Sequence, residues 1–346
     1  MDMFQAISDL VVAGGVSGSE NAVGETVKGY FRRYTKDVWS DALGNVFARV
    51  GDVGPTVLIM AHMDEIGMMV TDIEENGMLR ICSVAGVDTR VLPGSQVCVY
   101  GREALPGVIG AVPPHLLTGG EKGYKINELI CDIGYPPERV RELVSVGDFV
   151  SFDPIKPLKL KNGVICSKTL DDRAQVACLF QAMEHISRVK LNCTVVFCAS
   201  VQEERGSIGA SIGTYGIKPD MGIAIDVTHA PTPGVDPLDV CDMDKIELAK
   251  GGNIHPKLHK MLLDAADQCN IPKQIDACMG FSGTDGWSIQ VERGGVPTAL
   301  LGVPVRYMHT SVETLKEATL KNCARLLAQF IANINEDWED ALCLDD

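Results

Sequence analysis

Two short segments of the sequence carry side chains that suit a hydrolytic metal site. They are Ala61-His62-Met63-Asp64-Glu65 and Val201-Gln202-Glu203-Glu204-Arg205-Gly206, and each follows an apolar run typical of a buried strand. In His-x-Asp, the imidazole can bind a metal through one ring nitrogen while the carboxylate two residues later accepts a hydrogen bond from the other. Of two adjacent glutamates, one can bind a metal while its neighbour moves protons. The two segments therefore predict a metal-dependent hydrolase.

Three more residues could complete this site because they stand next to other predicted elements. Asp226 follows a third predicted strand, His309 lies eight residues beyond the end of a fourth at Leu301, and Asp171 precedes a predicted helix. In open α/β sheets, ligands bind in the crevice beyond the carboxyl ends of the strands. Two imidazoles and three carboxylates, one of them bridging, would hold two divalent ions about 3.5–4 Å apart, an arrangement that activates water.

Each of these residues also has an ordinary structural interpretation. Asp171 or its neighbour Asp172 could cap the helix that follows. Glu203 and Glu204 could form a solvated turn, and His309 could be a hydrogen-bonded loop histidine. Taken one at a time, the residues favour the structural interpretation. Taken together they favour the metal site, because all are predicted to stand beside the same edge of a sheet.

The other histidines give weaker signals. His255 and His259 would share one helix face, but a proline stands where a zincin helix needs its glutamate. Structural or surface roles are therefore expected for both. A functional role for His115 or His229 stays open.

The apolar patterns predict an α/β domain interrupted by a β-rich segment. Helices are predicted on both sides of a Gly14–Gly18 break within Met3–Tyr34, at about 172–187, from near Pro256, and at about 315–333. Strands are predicted at 41–50, 56–61, 194–201, 221–225 and 296–301. Between about Met69 and Leu160, short strands and many turn residues replace this pattern.

The predicted fold class is therefore α/β, with a small inserted domain. Residues 1–68 and 161–346 form a three-layer catalytic domain with a mixed sheet and a co-catalytic di-metal site. Residues 69–160 form a small β-rich domain of barrel or PDZ-like type.

The composition argues against several classes of function. With a formal net charge of −15, the 346-residue chain is a poor ligand for phosphate backbones, so nucleic acid is not expected as a partner. No apolar run approaches the roughly 20 residues that span a bilayer, and no membrane partner is expected. The first twenty residues lack a basic segment, and the twelve cysteines include no Cys-x-x-Cys pair. A cytoplasmic protein with reduced, mostly buried thiols is expected.

Five motifs also carry a resemblance when they are taken in order. They are His62-Met63-Asp64-Glu65-Ile66-Gly67, Leu170-Asp171-Asp172-Arg173, Gln202-Glu203-Glu204, Asp226-Val227-Thr228 and Arg306-Tyr307-Met308-His309-Thr310. They resemble the signatures of the tetrahedral aminopeptidases, the family of glutamyl aminopeptidases, deblocking aminopeptidases and so-called cellulase M proteins. The resemblance spans nearly the whole chain and includes a Pro-Pro-His-Leu segment at 113–116 in the β-rich insertion.

The resemblance implies two divalent metal ions per subunit, zinc or cobalt, with manganese as a further option. Asp171 would bridge the two ions. His62 and Asp226 would complete one site, and Glu204 and His309 would complete the other.

The resemblance also implies the remaining roles. Glu203 would be the general base and Asp64 the partner of His62, and a cis peptide bond would join Asp171 to Asp172. The insertion at 69–160 would pair subunits into dimers that assemble into a hollow dodecamer.

The expected reaction is the removal of amino-terminal residues from short peptides, with a metal-bridging water as the nucleophile. Glu203 would take a proton from this water and pass it to the leaving amine. One alternative is a glycoside hydrolase of endoglucanase type, which needs only two carboxyl groups and leaves His62 and His309 without a role. Another is a catalytically inactive, metal-stabilised scaffold, which would need no base at Glu203.

Overall fold

The computed structural model describes residues 1–112, 115 and 124–344. In chain order, its strands are β1 (Val38–Ser40), β2 (Val46–Val50), β3 (Thr56–His62), β4 (Met68–Ile73), β5 (Leu79–Ser83), β6 (Gln96–Tyr100), β7 (Ala104–Gly110), β8 (Ile130–Asp132), β9 (Phe149–Phe152), β10 (Leu158–Lys159), β11 (Val164–Ser167), β12 (Thr194–Ser200), β13 (Met221–His229), β14 (Ile246–Gly251), β15 (Lys273–Cys278), β16 (Thr298–Val305) and β17 (Glu313–Lys316). Its helices are α1 (Met3–Val11), α2 (Asn21–Phe31), α3 (Pro137–Leu143), α4 (Leu170–Ile186), α5 (Ile208–Ile217), α6 (Pro256–Gln268), α7 (Asp285–Val291), α8 (Glu317–Asn333) and α9 (Trp338–Leu342). Of the Pro-Pro-His-Leu segment, the described residues include His115; its other three residues lie outside them.

The largest sheet is mixed and has eight strands in the order β1-β2-β12-β3-β13-β16-β14-β15. Its four central strands, β12, β3, β13 and β16, run parallel to one another. Their carboxyl ends therefore lie at one edge of the sheet, and the segments that follow these strands are brought together there. The mixed sheet expected from the sequence is confirmed.

Helices cover both faces of this sheet because its central strands are apolar on both sides. Along β3, Val57, Ile59 and Ala61 pack into a core with α1, α2, α4, α6 and α8. Leu58 and Met60 point to the opposite face and join a smaller core with α5 and α7. Burial of both faces is typical of strands that lie between two layers of helices. The expected three-layer α/β architecture is confirmed.

Six antiparallel strands, β4 to β9, close into a barrel in the order β4-β5-β8-β7-β6-β9. The barrel has its own apolar core, which includes Val70, Val99 and Val150. The chain enters the barrel directly after β3 and returns through β10 and β11. These two strands and β17 form a separate three-stranded sheet in the order β10-β11-β17. The expected β-rich insertion is confirmed, and a dimerisation role for 69–160 stays a prediction.

The strand predicted at 41–50 is shorter than expected, because a side chain turns the backbone at its start. The Asp41 carboxylate accepts three successive backbone N–H groups, those of Leu43–Asn45. Such a turn competes with strand pairing. The strand therefore begins only at Val46.

Other predicted boundaries also differ from the structure. The strand predicted at 296–301 runs over Thr298–Val305, because its pairing with β13 extends as far as Val305. The strand predicted at 221–225 continues to His229, since its pairing with β16 extends that far. Asp226 therefore lies within a strand, not beyond one. The last helix begins at Glu317 and not at Leu315, because Leu315 pairs in β17.

Most of the cysteines are buried, as the sequence predicts. All twelve cysteines lie in the described part of the chain and are unpaired, and seven of them are buried. Burial raises the pKa of Cys178 and Cys198 well above the ordinary thiol value, so these thiols stay neutral. Within the described ranges, no helix is long and apolar enough to cross a membrane.

A buried ion cluster joins the two connections between the large sheet and the barrel. Glu65 stands on the segment that leaves β3, and Lys168 directly follows β11 on the returning segment. The Lys168 ammonium donates to Glu65 Oε2, and the Arg173 guanidinium reaches Glu65 Oε1 at 3.3 Å. Arg173 also donates to three backbone carbonyl groups. Because none of the three side chains is more than 2% exposed, each charge depends on its partners.

Replacing Arg173 by Met should lower the free energy of unfolding by about 3–5 kcal/mol, because buried acceptors would lose their donor. Urea unfolding of the wild type and the variant measures this loss. The matched control is Lys260→Met, which breaks the exposed pair with Asp264 and should change stability by less than about 0.5 kcal/mol. Equal losses in the two variants would contradict a stabilising role for the buried cluster.

Candidate metal centre

The residues predicted as metal ligands meet at the carboxyl edge of the central strands. His62 ends β3, and Asp226 lies beside it on β13, two residues beyond the Ala224–Met60 pair. Two groups of described residues could each hold a metal ion, because one ligand atom from every residue of the group lies within 4.8 Å of the others. The groups are His62, Asp171 and Glu204, and His62, Asp172 and Asp226. His309 approaches the first group from the turn that follows β16.

The Asp171 carboxylate lies between two imidazoles that come from different parts of the fold. Its Oδ1 is 3.2 Å from His62 Nε2, and its Oδ2 is 3.3 Å from His309 Nε2. Glu204 Oε1 lies 3.4 Å from the same nitrogen of His309. A carboxylate whose two oxygens face two separate nitrogen donors has the geometry of a bridging ligand. The peptide bond between Asp171 and Asp172 is cis, as expected.

The buried carboxylates at the carboxyl edge of the central strands favour the binding of positively charged ligands. Burial opposes the charge of Asp171, but hydrogen bonds from His309 and His62 outweigh it and hold the pKa of this carboxyl below its ordinary value. Burial raises the pKa of Glu204 and that of Asp226, and the charge of Asp171 adds to both effects. Two imidazoles are too few to neutralise this set of buried carboxylates. Divalent cations would supply the missing positive charge.

Asp64 stands behind the predicted ligands and contacts several of them. Its Oδ1 lies 3.4 Å from His62 Nδ1, although the geometry falls short of a hydrogen bond. The same carboxylate accepts the backbone N–H groups of Glu203 and Glu204 at 3.0 and 3.2 Å. Asp64 is therefore close to His62, as the sequence predicts, and it also holds the turn that carries both glutamates.

Glu203 lies next to the ligand cluster and turns its carboxylate towards it. Glu203 Oε2 is 3.9 Å from His62 Nε2, and Oε1 accepts a hydrogen bond from Ser207 at 3.2 Å. Burial, together with the charges of Asp226 and Asp285, raises the pKa of Glu203 to about 10. Cations bound at this edge would lower this pKa and leave the carboxylate able to accept a proton.

Two supporting carboxylates were missed in the sequence. Glu313, which is 2% exposed, accepts the backbone N–H of Asp171 at 3.1 Å and that of His309 at 3.0 Å. Asp172 was considered only as a helix cap, yet its Oδ2 accepts the backbone N–H of His62 at 3.0 Å. The contacts of Asp172 with His62 and of Glu313 with Asp171 have no local sequence signal, because they join segments that are 110 and 142 residues apart.

The remaining histidines lie outside the two candidate metal groups of the described residues. His255 caps α6 through a 3.4 Å contact from the Leu258 N–H, and buried His259 lies 2.9 Å from the Ala249 carbonyl. These contacts fit the structural roles predicted for both. His115 and His229 are exposed.

Known proteins resemble this chain over nearly its whole length. The family model described as M42 glutamyl aminopeptidase matches residues 44–326. The lysyl aminopeptidase of Pyrococcus furiosus is 32% identical over 338 residues, which cover 93% of this chain and 95% of that relative. The structure of the aminopeptidase APDkam598 from the archaeon Desulfurococcus kamchatkensis matches with a TM-score of 0.90 at 31% identity and covers 99% of each chain.

A second solved structure is described together with its assembly. The TET1 peptidase of Pyrococcus horikoshii, which can assemble into a tetrahedron or a large octahedral shell, matches with a TM-score of 0.86 at 30% identity. The match covers 96% of this chain and 100% of that one. The family resemblance seen in the five motifs is thereby confirmed: the chain belongs to the M42 glutamyl aminopeptidase family and is a metallo-aminopeptidase, a hydrolase.

Proposed function

We propose that the candidate metal centre holds two divalent ions, zinc or cobalt, with manganese also compatible with its mixed nitrogen and oxygen donors. Asp171 would contact both ions, His62 and Asp226 would hold one of them, and Glu204 and His309 would hold the other. When bound, the ions supply Lewis-acid polarisation of the scissile carbonyl and lower the pKa of the attacking water. The observation that carries this proposal is the position of the two Asp171 oxygens, 3.2 and 3.3 Å from two different imidazoles.

The chain's own part in the reaction is proton transfer and positioning. Glu203 accepts a proton from the attacking water and delivers it to the leaving amine. Asp64 holds the backbone of Glu203 and Glu204 and stands against His62, so the base and the ligands keep a fixed relation. The acidic edge also attracts the cationic amino terminus of a peptide.

The proposed substrates are short peptides that lose their amino-terminal residues. The family description names a glutamyl aminopeptidase, and the Pyrococcus furiosus relative is a lysyl aminopeptidase. Glutamate and lysine are therefore the first amino-terminal residues to test as substrates. A panel of amino-acid anilides, each assayed with zinc, cobalt and manganese, identifies the preferred residue. A preference shared by all three metals would locate the selectivity in the protein pocket and not in the ion.

Glycoside hydrolysis is a weaker explanation of the same carboxylates. A glycosidase needs two carboxyl groups at a defined separation and no imidazole ligands. It would leave unexplained why His62 and His309 both face Asp171. Exhaustive chelation separates the two possibilities, because a glycosidase of this kind would keep its activity.

We further propose that the chain forms a homo-oligomer through its barrel and that dimers assemble into a dodecamer. The tetrahedral assembly described for the TET1 peptidase supports this proposal. Exposed apolar side chains on the insertion, such as Val108, Val146 and Ile155, also support an interface there.

The proposed location is the cytoplasm, where the twelve unpaired cysteines would stay reduced.

The metal proposal predicts two divalent ions per chain at full occupancy. Asp171→Ala should lower metal content more than His62→Ala or His309→Ala does, because both ions lose a ligand at once. Metal analysis after gel filtration, together with anilide turnover, measures the effect. One ion per wild-type chain at saturation would contradict the proposal.

The two neighbouring glutamates should respond differently to the same substitution. Glu203→Gln keeps the shape and removes the base, so metal content should hold while turnover falls by about 10²–10⁴-fold. Glu204→Gln should weaken metal binding first and lose activity as a result. A Glu203→Gln enzyme that loses its metals, or that keeps near-normal turnover, would show that the two roles are assigned wrongly.

The assembly proposal predicts a particle much larger than one 37.2 kDa chain. Light scattering coupled to gel filtration, with metals bound and at micromolar concentration, measures its mass. Val146→Asp should reduce this mass, because a charge in an apolar contact is costly. A wild-type protein that elutes as a monomer would overturn the proposal.

A further inference from the structure

The Ser207 hydroxyl connects Glu203 to a second buried carboxylate. Ser207 is 7% exposed, and its Oγ donates to Glu203 Oε1 at 3.2 Å. The same hydroxyl lowers the pKa of Asp285, the first residue of α7, against the larger effect of burial, which raises it. Since a hydroxyl carries one hydrogen, it donates to one carboxylate at a time. In the structure that hydrogen goes to Glu203.

Asp285 is fixed on its other side by the end of a central strand. The Ser200 hydroxyl, from the last residue of β12, donates to Asp285 Oδ2. Asp285 Oδ1 is buried and has no hydrogen-bond partner of standard geometry within the described chain. Asp285 is 2% exposed, so bulk water does not satisfy this oxygen.

An ordinary helix cap does not explain Asp285. The Thr284 side chain caps α7 by accepting the Gly286 N–H at 3.3 Å. Burial also raises the pKa of Asp285 to about 6. Burying a carboxyl group here lowers the stability of the fold unless its hydrogen bonds compensate for the lost contact with water.

We propose that Ser207 is a positioning residue for Glu203. Its hydroxyl holds one oxygen of the Glu203 carboxylate, so the other oxygen of Glu203 stays directed at the metal centre. Asp285 is the buried carboxylate that competes with Glu203 for the same hydrogen. This inference rests on the proposed function of Glu203 as the general base. It assigns no metal ligand to Ser207 or Asp285.

The first test compares two substitutions at Ser207, which has a positive φ of 53°. Alanine is strained in this region and glycine is not. A purely structural role therefore predicts that Ser207→Gly is the milder change. A positioning role predicts that both variants lower kcat similarly, by about 10–100-fold, because a misplaced group can cost about 10²-fold. KM and metal content should stay within about twofold of the wild type.

The second test asks whether Asp285 competes with Glu203 for the Ser207 hydrogen. Asp285→Asn removes the competing carboxylate, so kcat should not fall, and Ser207→Gly should lower kcat by the same factor in the wild-type and Asp285→Asn backgrounds. A loss of kcat in Asp285→Asn as large as that in Ser207→Gly would contradict this arrangement. Ser211→Ala, one helical turn along α5, is the matched control and should leave kcat unchanged. Thermal melting of each variant, with metals bound, verifies that it is folded at the assay temperature.

The outcomes separate this inference from the function on which it rests. If the wild type with metals restored cleaves no anilide, the proposed function fails and the inference fails with it. If the wild type cleaves and Glu203→Gln does not, the proposed function stands. A Ser207→Gly enzyme with near-normal kcat, or one that loses its metals, would then overturn the positioning role alone.

Discussion

Burial of carboxylates at one edge of the large sheet is the constraint on which the rest of this structure depends. The backbone N–H groups of the candidate ligands are held by carboxylates from other elements. The contacts are Asp172 to His62, Asp64 to Glu203 and Glu204, and Glu313 to Asp171 and His309. A buried N–H group requires an acceptor, and a charged acceptor binds it more strongly than a carbonyl does. The turns that carry the ligands therefore take their shape from tertiary contacts.

The strand order makes these contacts possible. Because β12, β3, β13 and β16 are parallel neighbours, four segments from distant parts of the chain end at one edge. The barrel leaves from the same edge, directly after β3, and the chain returns close to α4. The Glu65–Lys168 pair joins the two connections. The insertion is thus anchored a few residues from His62 on one side and from Asp171 on the other.

Much of the site could be predicted because its signals are local. The His62-x-Asp64 spacing, the Glu203-Glu204 pair and the apolar runs before them are visible in a few residues each. Glu313 was missed because its partner Asp171 is 142 residues away, and nothing near Glu313 indicates that contact. The end of β13 was misplaced for a similar reason, since pairing with β16 extends the strand beyond its apolar run. Local sequence therefore indicates the candidate ligands, whereas the groups that hold them depend on the fold.

The chain contains two kinds of buried acid, and the difference between them helps to define the metal centre. Glu65 is neutralised by the chain itself, through Lys168 and Arg173. In the part of the chain that the structure describes, the ion pairs of Asp171 and Glu204 are with imidazoles. Burial raises the pKa of Glu204 and that of Asp226. A lysine or arginine at this edge would complete the charge balance and remove the need for a cation. The fold places its buried cations at the barrel junction, a few residues away, and so leaves the acidic edge available to metal ions.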